Sequence, residues 1–378
     1  VKITSMEPTP SPHSMKINVN EELDAGVNFN YKQGDDLKDA PNYIKQLFQI
    51  EGVKNIYRVV DFIALARDPK TPWESILPKV RKVLGTEEVD EQIQLHVPKA
   101  VDDSFGEVKV FIQMFRNIPI QVKLDDGKEE KRFALPDVFM DSVMKASVAS
   151  PNFIMERKWI EQHVRYGLMD EIAGEIVEEI KASYDPERIN KLVQLAINNE
   201  DKTVETSQKT SISLETLDNL DWKVRYAALD RLEATIQDLP VLEKALDDEK
   251  ASIRRLATAY LGMIEEPEVL PYLYKALHDK AVSVRRTAGD CISDLGFKEA
   301  IPEMIQSLED PSRLVRWRAA MFLYEVGDET CLPALESAAN DPEFEVRMQI
   351  KMALERIKGG EEAKGSVWHQ MTQATKRD

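Results

Sequence analysis

Between Ser213 and Lys358 one pattern returns about every 31 residues, and that period constrains the fold more than any other feature of the chain. Val or Ile, then Arg, then a small or aliphatic residue three positions on, occurs at Val224/Arg225/Ala228, Ile253/Arg254/Ala257, Val284/Arg285/Ala288, Val315/Arg316/Ala319 and Val346/Arg347/Ile350. The arginines step by 29, 31, 31 and 31. An aspartate stands six residues before each of the last four, at Asp248, Asp279, Asp310 and Asp341, while Asn219 holds that place in the first. Pro240, Pro271, Pro302 and Pro333 keep the same step. A fixed period in this range means stacked supersecondary units, because one such unit cannot bury its apolar face alone.

Within one period Val284, Ala288, Ile292 and Leu295 follow at offsets 0, 4, 8 and 11, the stripe of an amphipathic helix. Each such helix follows a shorter one, opened by proline in its first turn, where the missing N–H costs little. Leu273, Ala276 and Leu277 are the apolar residues of one short helix. Each unit is therefore two antiparallel helices joined by an Asp-containing turn. These repeats resemble HEAT-like repeats of the short bacterial type, over about five units with the first degenerate. Because each arginine returns with a turn aspartate, Arg225, Arg254, Arg285, Arg316 and Arg347 are expected to pair with aspartates within or between units. The other reading is a groove of arginines for an anionic partner.

Val1 to Leu84 reads as one small α+β domain. Short strands at Lys2 to Ser5 and Met15 to Val19 flank a loop in which Pro8, Pro10 and Pro12 forbid helix. An amphipathic helix over Ala40 to Gln49 stops at Gly52, a hairpin joins Val53–Val59 to Phe62–Ala66, and Trp73 to Leu84 closes the domain as a helix. Glu7-Pro8-Thr9-Pro10-Ser11-Pro12, Ser14, Lys16, the run Leu47 to Val53, Asp61-Phe62-Ile63 and Trp73-Glu74 with Pro78 resemble the N-terminal domain of Nfu-type iron–sulfur scaffold proteins. In such scaffolds a separate domain holds the cluster through a Cys-x-x-Cys pair, since iron in a cluster wants thiolates close together. This chain has two cysteines, Cys291 and Cys331, both among the repeats. Cys291 shares a stripe position with Tyr260, Phe322 and Ala353, so both thiols are expected to be structural.

In the middle, Glu107 to Phe115 alternates as a strand, Ile118 to Leu124 and Lys131 to Leu135 follow, and Asp126-Gly127 marks a hairpin between the last two. Pro136-Asp137 starts a helix with Val138, Met140 or Asp141, and Met144 as its stripe. Phe153 to Tyr166, Leu168 to Ala182 and Glu187 to Ile197 are expected to be helices. The polar stretch before Ser213 reads as a linker. The expected organisation is thus a multi-domain α+β chain. It comprises an Nfu-like α+β domain at 1–86, a hairpin-plus-helices domain at 87–202, a linker at 203–212, an all-α HEAT-like superhelical array at 213–360 and a polar tail at 361–378. That order resembles the conserved virulence factor C family of Gram-positive bacteria, which implies a link to iron–sulfur protein maturation or to control of virulence gene expression.

Acidic side chains outnumber basic ones 67 to 50, a net charge of −17, and the first 85 residues are nearly balanced at 12 basic and 11 acidic. With no basic run, nucleic acid and anionic membranes are poor partners, and a protein with a basic or extended segment is a better one. No apolar run approaches the ~18 residues of a membrane-spanning helix, and few cysteines suit a reducing, cytoplasmic compartment. The polar, proline-rich start is unlike a signal peptide.

Catalytic motifs are missing from the sequence. His13, His96, His163, His278 and His369 are scattered, and no phosphate-loop glycine pattern occurs. Some HEAT-like proteins are di-iron hydroxylases with repeated His-Glu dyads, but His278 is the one histidine of the five units. Carboxylate pairs such as Glu178-Glu179 read as solvated. Arg255, Arg286 and Arg318 fall off the apolar stripe and are expected to be exposed; with Lys223, Tyr226 and Trp317 they are the candidates for a partner-binding face. His13, Ser14 and Lys16 form the polar cluster of the first loop. The chain is therefore expected to be a non-enzymatic adaptor or scaffold with no cofactor; iron or an Fe–S cluster bound through the Nfu-like domain, with Cys291 and Cys331 as the available thiols, is the rival reading.

Overall fold

The computed structural model describes residues 1–9, 11, 13–23, 27–85, 107–127, 129–198 and 212–360. The expected linker up to residue 211, the start of the middle domain, the tail 361–378, His96 and His369 lie outside the described residues. The chain divides into two units, Val1–Phe105 and Gly106–Asp378.

The first unit runs β1 (Ile3–Pro8), β2 (Ser14–Val19), β3 (Asn28–Lys32), α1 (Asn42–Phe48), β4 (Val53–Val59), β5 (Phe62–Arg67) and α2 (Trp73–Leu84). Its antiparallel sheet has the order β1-β2-β5-β4-β3. Period-two alternation buries Met15, Ile17 and Val19 of β2 and Ile63 and Leu65 of β5 on one face, and the helices contribute Ile44, Leu47, Trp73, Ile76 and Val80 to the same core. Strand β3 is absent from the sequence expectation because Asn28-Phe29-Asn30-Tyr31-Lys32 is a mostly exposed edge with no buried set to give it away.

The β4–β5 turn carries Val60 at φ 41°, left-handed backbone that a β-branched residue tolerates badly. Buried Arg58 holds that turn. Its Nη1 donates to the carbonyls of Val59, Val60 and Phe62 at 3.1, 2.6 and 3.2 Å, and Nη2 donates to the Glu21 carbonyl. Val60→Asn relieves the strain where the side chain is exposed, so stability to urea rises by about 1 kcal/mol. An unchanged unfolding midpoint would sink the strain argument.

In the second unit the middle domain runs β6 (Glu107–Phe115), β7 (Ile118–Asp125), β8 (Glu130–Ala134), α3 (Asp137–Ser147), α4 (Phe153–Glu156), β9 (Lys158–Tyr166), α5 (Met169–Ser183) and α6 (Pro186–Ile197). Its sheet has the order β8-β7-β6-β9, all antiparallel. Val108, Val110, Val122 and Leu124 form one core with Phe139 and Val143 of α3, Ile172 and Ile176 of α5 and Leu192 of α6.

Two expectations are corrected. Residues 158–166 are a strand and not helix: Ile160 and Val164 mimic a helical step of four, but pairing with β6, far away in sequence, decides the conformation. Val138, Met140 and Met144 are not the buried stripe of α3; Phe139, Ser142, Val143 and Ala146 are.

The array consists of long helices α7 (Trp222–Asp230), α9 (Ala251–Met263), α11 (Val282–Leu295), α13 (Arg313–Val326) and α15 (Phe344–Lys358). Between them lie the short helices α8 (Leu239–Ala245), α10 (Leu270–Leu277), α12 (Ile301–Gln306) and α14 (Leu332–Ala338), each with proline in its first turn. The stripe residues Ile253, Ala257, Leu261, Val284, Ala288, Ile292, Val315, Ala319 and Leu323 are all buried, as stacking requires.

Candidate functional site: the ladder and the domain junction

The first four ladder arginines reach forward to the aspartate of the next unit. Arg225 Nε and Nη2 meet Asp248 at 2.7 and 2.9 Å, and Arg254 meets Asp279 at 2.6 and 2.9 Å. Arg285 meets Asp310 at 2.7 and 3.1 Å, and Arg316 meets Asp341 at 2.6 and 3.1 Å. The remaining Nη1 donates backward to the carbonyl of its own turn, at Asn219, Asp248, Asp279, Asp310 and, for Arg347, Asp341, over 2.6–2.9 Å. The same aspartates accept from amides two residues on, of Lys250, Ala281, Ser312 and Glu343, at 2.7–2.8 Å, and so fix the turn that leads into the next long helix. One aspartate thus fixes a turn and receives the preceding unit, which is why it recurs at a fixed offset.

A second polar set joins the middle domain to the array. Glu179 of α5 is buried between Arg165 of β9, at 2.7 Å, and Arg255 of α9, at 3.0 Å. Burial pushes the Glu179 carboxyl up, but the charges of Arg255 and Arg165 outweigh it and hold it below the usual carboxylate range. The Arg286 guanidinium of α11 stacks on the Tyr166 ring of β9 with its carbon 3.5 Å from the centroid. Asp290 lies 3.2 Å from Arg286 and 2.7 Å from Arg318 Nε. The second contact is ionic: the two atoms are not aligned for a hydrogen bond.

The expected exposure of Arg255, Arg286 and Arg318 is therefore corrected. Arg255 and Arg286 follow their ladder arginines by one residue and turn toward the middle domain, which no periodicity inside the array can reveal. Arg318 follows Arg316 by two, about 200° round the helix, and is buried against α11, where Gly289 leaves the space for it. Tyr226 and Trp317 are buried too, and Lys223 lies half-exposed, 3.7 Å from Glu178. The six candidates thus do not share one open face. Glu179 was misread as solvated, although it stands seven residues after Ile172 and three after Ile176, on the inward stripe of α5.

Elsewhere, Cys291 Sγ lies 3.5 Å from the Thr258 carbonyl and against Gly262, where a Cβ would overlap the sulfur. Cys331 is buried beside Gly327. Burial pushes both thiols up, away from the thiolate form that binds metal. His278 Nε2 sits 3.3 Å from Glu303 of the next unit. A groove of about 570 Å³ runs past His278, Leu308, Glu309, Ser337 and Asp341, the last already engaged by Arg316. In the first unit His13 is buried, its carbonyl accepts from the Arg67 amide at 2.9 Å, and Ser14 pairs with Ala66. Lys16 stands 5.1 Å from the centre of the Phe62 ring. Among the described residues no helix is long and apolar enough to cross a membrane.

This geometry defines a helical-repeat protein whose array carries α+β domains ahead of it. The family described as scaffold protein Nfu/NifU N terminal matches residues 3–89, the family described as virulence factor matches 113–193, and HEAT repeats match 211–293 and 273–355. The conserved virulence factor C of Staphylococcus haemolyticus is 46% identical over 380 residues, covering 100% of both chains. That of Staphylococcus aureus strain MRSA252 is 45% identical over 377 residues, covering 99% of this chain and 100% of the other. The uncharacterized protein YpgR of Bacillus subtilis is 54% identical over 379 residues, again covering 100% of both. The chain belongs to the conserved virulence factor C family. Among solved structures, the crystal structure of protein SAV1430 from Staphylococcus aureus is 36% identical, with a TM-score of 0.21, and covers 22% of this chain and 98% of its own.

Proposed function

We propose that this protein is a non-catalytic cytoplasmic adaptor that serves iron–sulfur protein maturation or the regulation of virulence-related gene expression. The observation that carries this reading is the commitment of the array's recurring charges to its own architecture: four aspartates and five arginines are engaged in rungs and turns. Such an array is a rigid body for presenting surfaces, and solenoids make extended binding faces from many small contacts. The relatives' name and the likeness of the first domain to scaffold protein Nfu/NifU motivate these two processes. The net charge of −17 favours a partner with a basic or extended segment.

The rival is a resident iron or Fe–S cluster. The donor set does not suit one: the two thiols of the sequence are packed against helix backbone and held protonated. Two measurements on the full chain separate the readings. A photo-cross-linking residue at Ala64, on the sheet face away from α1 and α2, is expected to capture iron–sulfur assembly proteins in cells, and capture of background alone would remove the adaptor. Anaerobically purified protein is expected to carry no cluster absorbance; a cluster that disappears in the Cys291→Ser/Cys331→Ser variant would establish the carrier instead.

A further inference from the structure

Helix α3 has two apolar stripes and buries one of them. Phe139, Val143 and Ala146 enter the core of the middle domain. Met140, Met144 and Val148, spaced by four, form a second stripe turned away from that core, and Ile154 and Met155 are exposed apolar residues of α4, which follows α3 in the chain; all five are between 45% and 86% exposed. A helix apolar on both sides is expected between two partners, and the domain supplies one. Lone exposed aliphatic residues are ordinary, but five within sixteen positions mark an interaction surface.

The surface is held rigidly from below. Arg116, in the β6–β7 turn at φ 47°, donates to the Ala196 carbonyl at 2.6 Å, to the Ala149 carbonyl at 3.4 Å and to Glu156 at 2.7 Å. Ser150 adds a 2.6 Å bond to the same Glu156, so the end of α4 is tied to the end of α3. Pre-organisation of this kind lowers the ordering cost of binding. Methionine suits the outer layer because its flexible thioether moulds to different aliphatic partners.

Charge selects the occupant. Asp137 and Asp141 are exposed, run along one flank of the Met140–Met144–Val148 stripe and have no cation within ion-pair distance among the described residues. Lys145 marks the far end of that flank. Each copy of the chain carries −17, so like charge disfavours a second copy on this flank, whereas a basic segment is attracted to it. We propose that the outer face of α3 and α4 is a docking site for an amphipathic helical segment of a protein partner, with Lys or Arg beside its apolar stripe. It goes beyond the adaptor reading, because it assigns a partner surface to the middle domain whatever the first unit binds.

The test uses the full chain with ¹³C-methyl methionine and two synthetic helical peptides of identical leucine stripe, one flanked by lysine and one by glutamate. In the free chain the Met140, Met144 and Met155 methyl signals should be broadened by a soluble paramagnetic agent. The lysine peptide should shift and protect them, binding at least about tenfold more tightly than the glutamate peptide. Met140→Glu/Met144→Glu should abolish that binding with the thermal transition unchanged, and Asp137→Asn/Asp141→Asn should erase the preference for lysine. Methyls protected in the free chain at every concentration would mean that the chain covers this face itself. Protection that grows with concentration would mean a second copy, and equal or no binding of the two peptides would remove the basic helix; each of these overturns the proposal. Cross-linking from Ala64 is indifferent to these variants, so the two readings fail separately.

Discussion

Replacing Asp279 by alanine lowers the stability of the array by roughly 3–5 kcal/mol, the cost of stripping one partner from a buried ion pair. The Arg254 side chain is 4% exposed and that of Asp279 11%, so water cannot take over the lost contact. Besides the two Arg254 bonds, the variant loses the carboxylate that accepts from the Ala281 amide, a turn hydrogen bond worth about 1 kcal/mol. The discriminating control replaces both partners, as Arg254→Met/Asp279→Leu. Apolar replacement of a whole buried pair is commonly neutral, so this variant should recover much of the loss. Urea unfolding followed by circular dichroism reads both. A loss below about 1 kcal/mol in Asp279→Ala would mean that the rung behaves as a solvated surface pair.

The same rung gives the array a signed pH dependence. Burial pushes the Asp279 carboxyl up, but the Arg254 hydrogen bonds, the Ala281 amide and the Arg254 charge together hold it below its ordinary value of 3.8. A carboxyl depressed on folding contributes stability above its unfolded value, and that stability disappears as pH falls through the folded one. Wild type should therefore lose stability below about pH 4 more steeply than Asp279→Ala, the two curves converging in acid.

What the sequence disclosed and what it hid follow from the range of the interactions concerned. The ladder repeats at a fixed offset, so pairing of Arg254 with an aspartate is legible in the sequence, but whether within its own unit or with Asp279 of the next is settled only by stacking. Strand β9 gave no such signal, since its conformation is set by β6 some fifty residues earlier and its Ile160/Val164 spacing imitates a helix. Nor could periodicity choose between the stripes of α3, because Phe139/Val143 and Met140/Met144 are both apolar; packing chose the first and left the second to solvent. Arg255 and Arg286 were misjudged because the periodic unit contains no image of the domain that covers them. Glu179 was legible from the stripe of Ile172 and Ile176, and its acidic neighbour disguised it.

Glu179→Ala should cost the second unit a further roughly 3–5 kcal/mol and also uncouple its parts, an effect that loss of a purely internal contact would not produce. The carboxylate is the shared acceptor of Arg165 from β9 and Arg255 from α9, so its removal leaves two partly buried guanidinium groups without their common counter-charge at the junction. Like charges there favour separation of the middle domain from α9. The stack of Arg286 on Tyr166 is then the main remaining tie of β9 to the array. Amide exchange should accelerate in β9, α5 and the N-terminal half of α9 while the rungs from Arg285 onward keep their protection. A cycle of Glu179→Ala with Arg165→Ala should be non-additive, because the second change removes a charge that the first has already stranded. Additive losses with unchanged exchange in α9 would mean that the two arginines act independently and that Glu179 is not the joint. The outcome bears on function, since a rigid joint fixes the outer face of α3 relative to the array, whereas a loosened one lets any partner held there move independently of it.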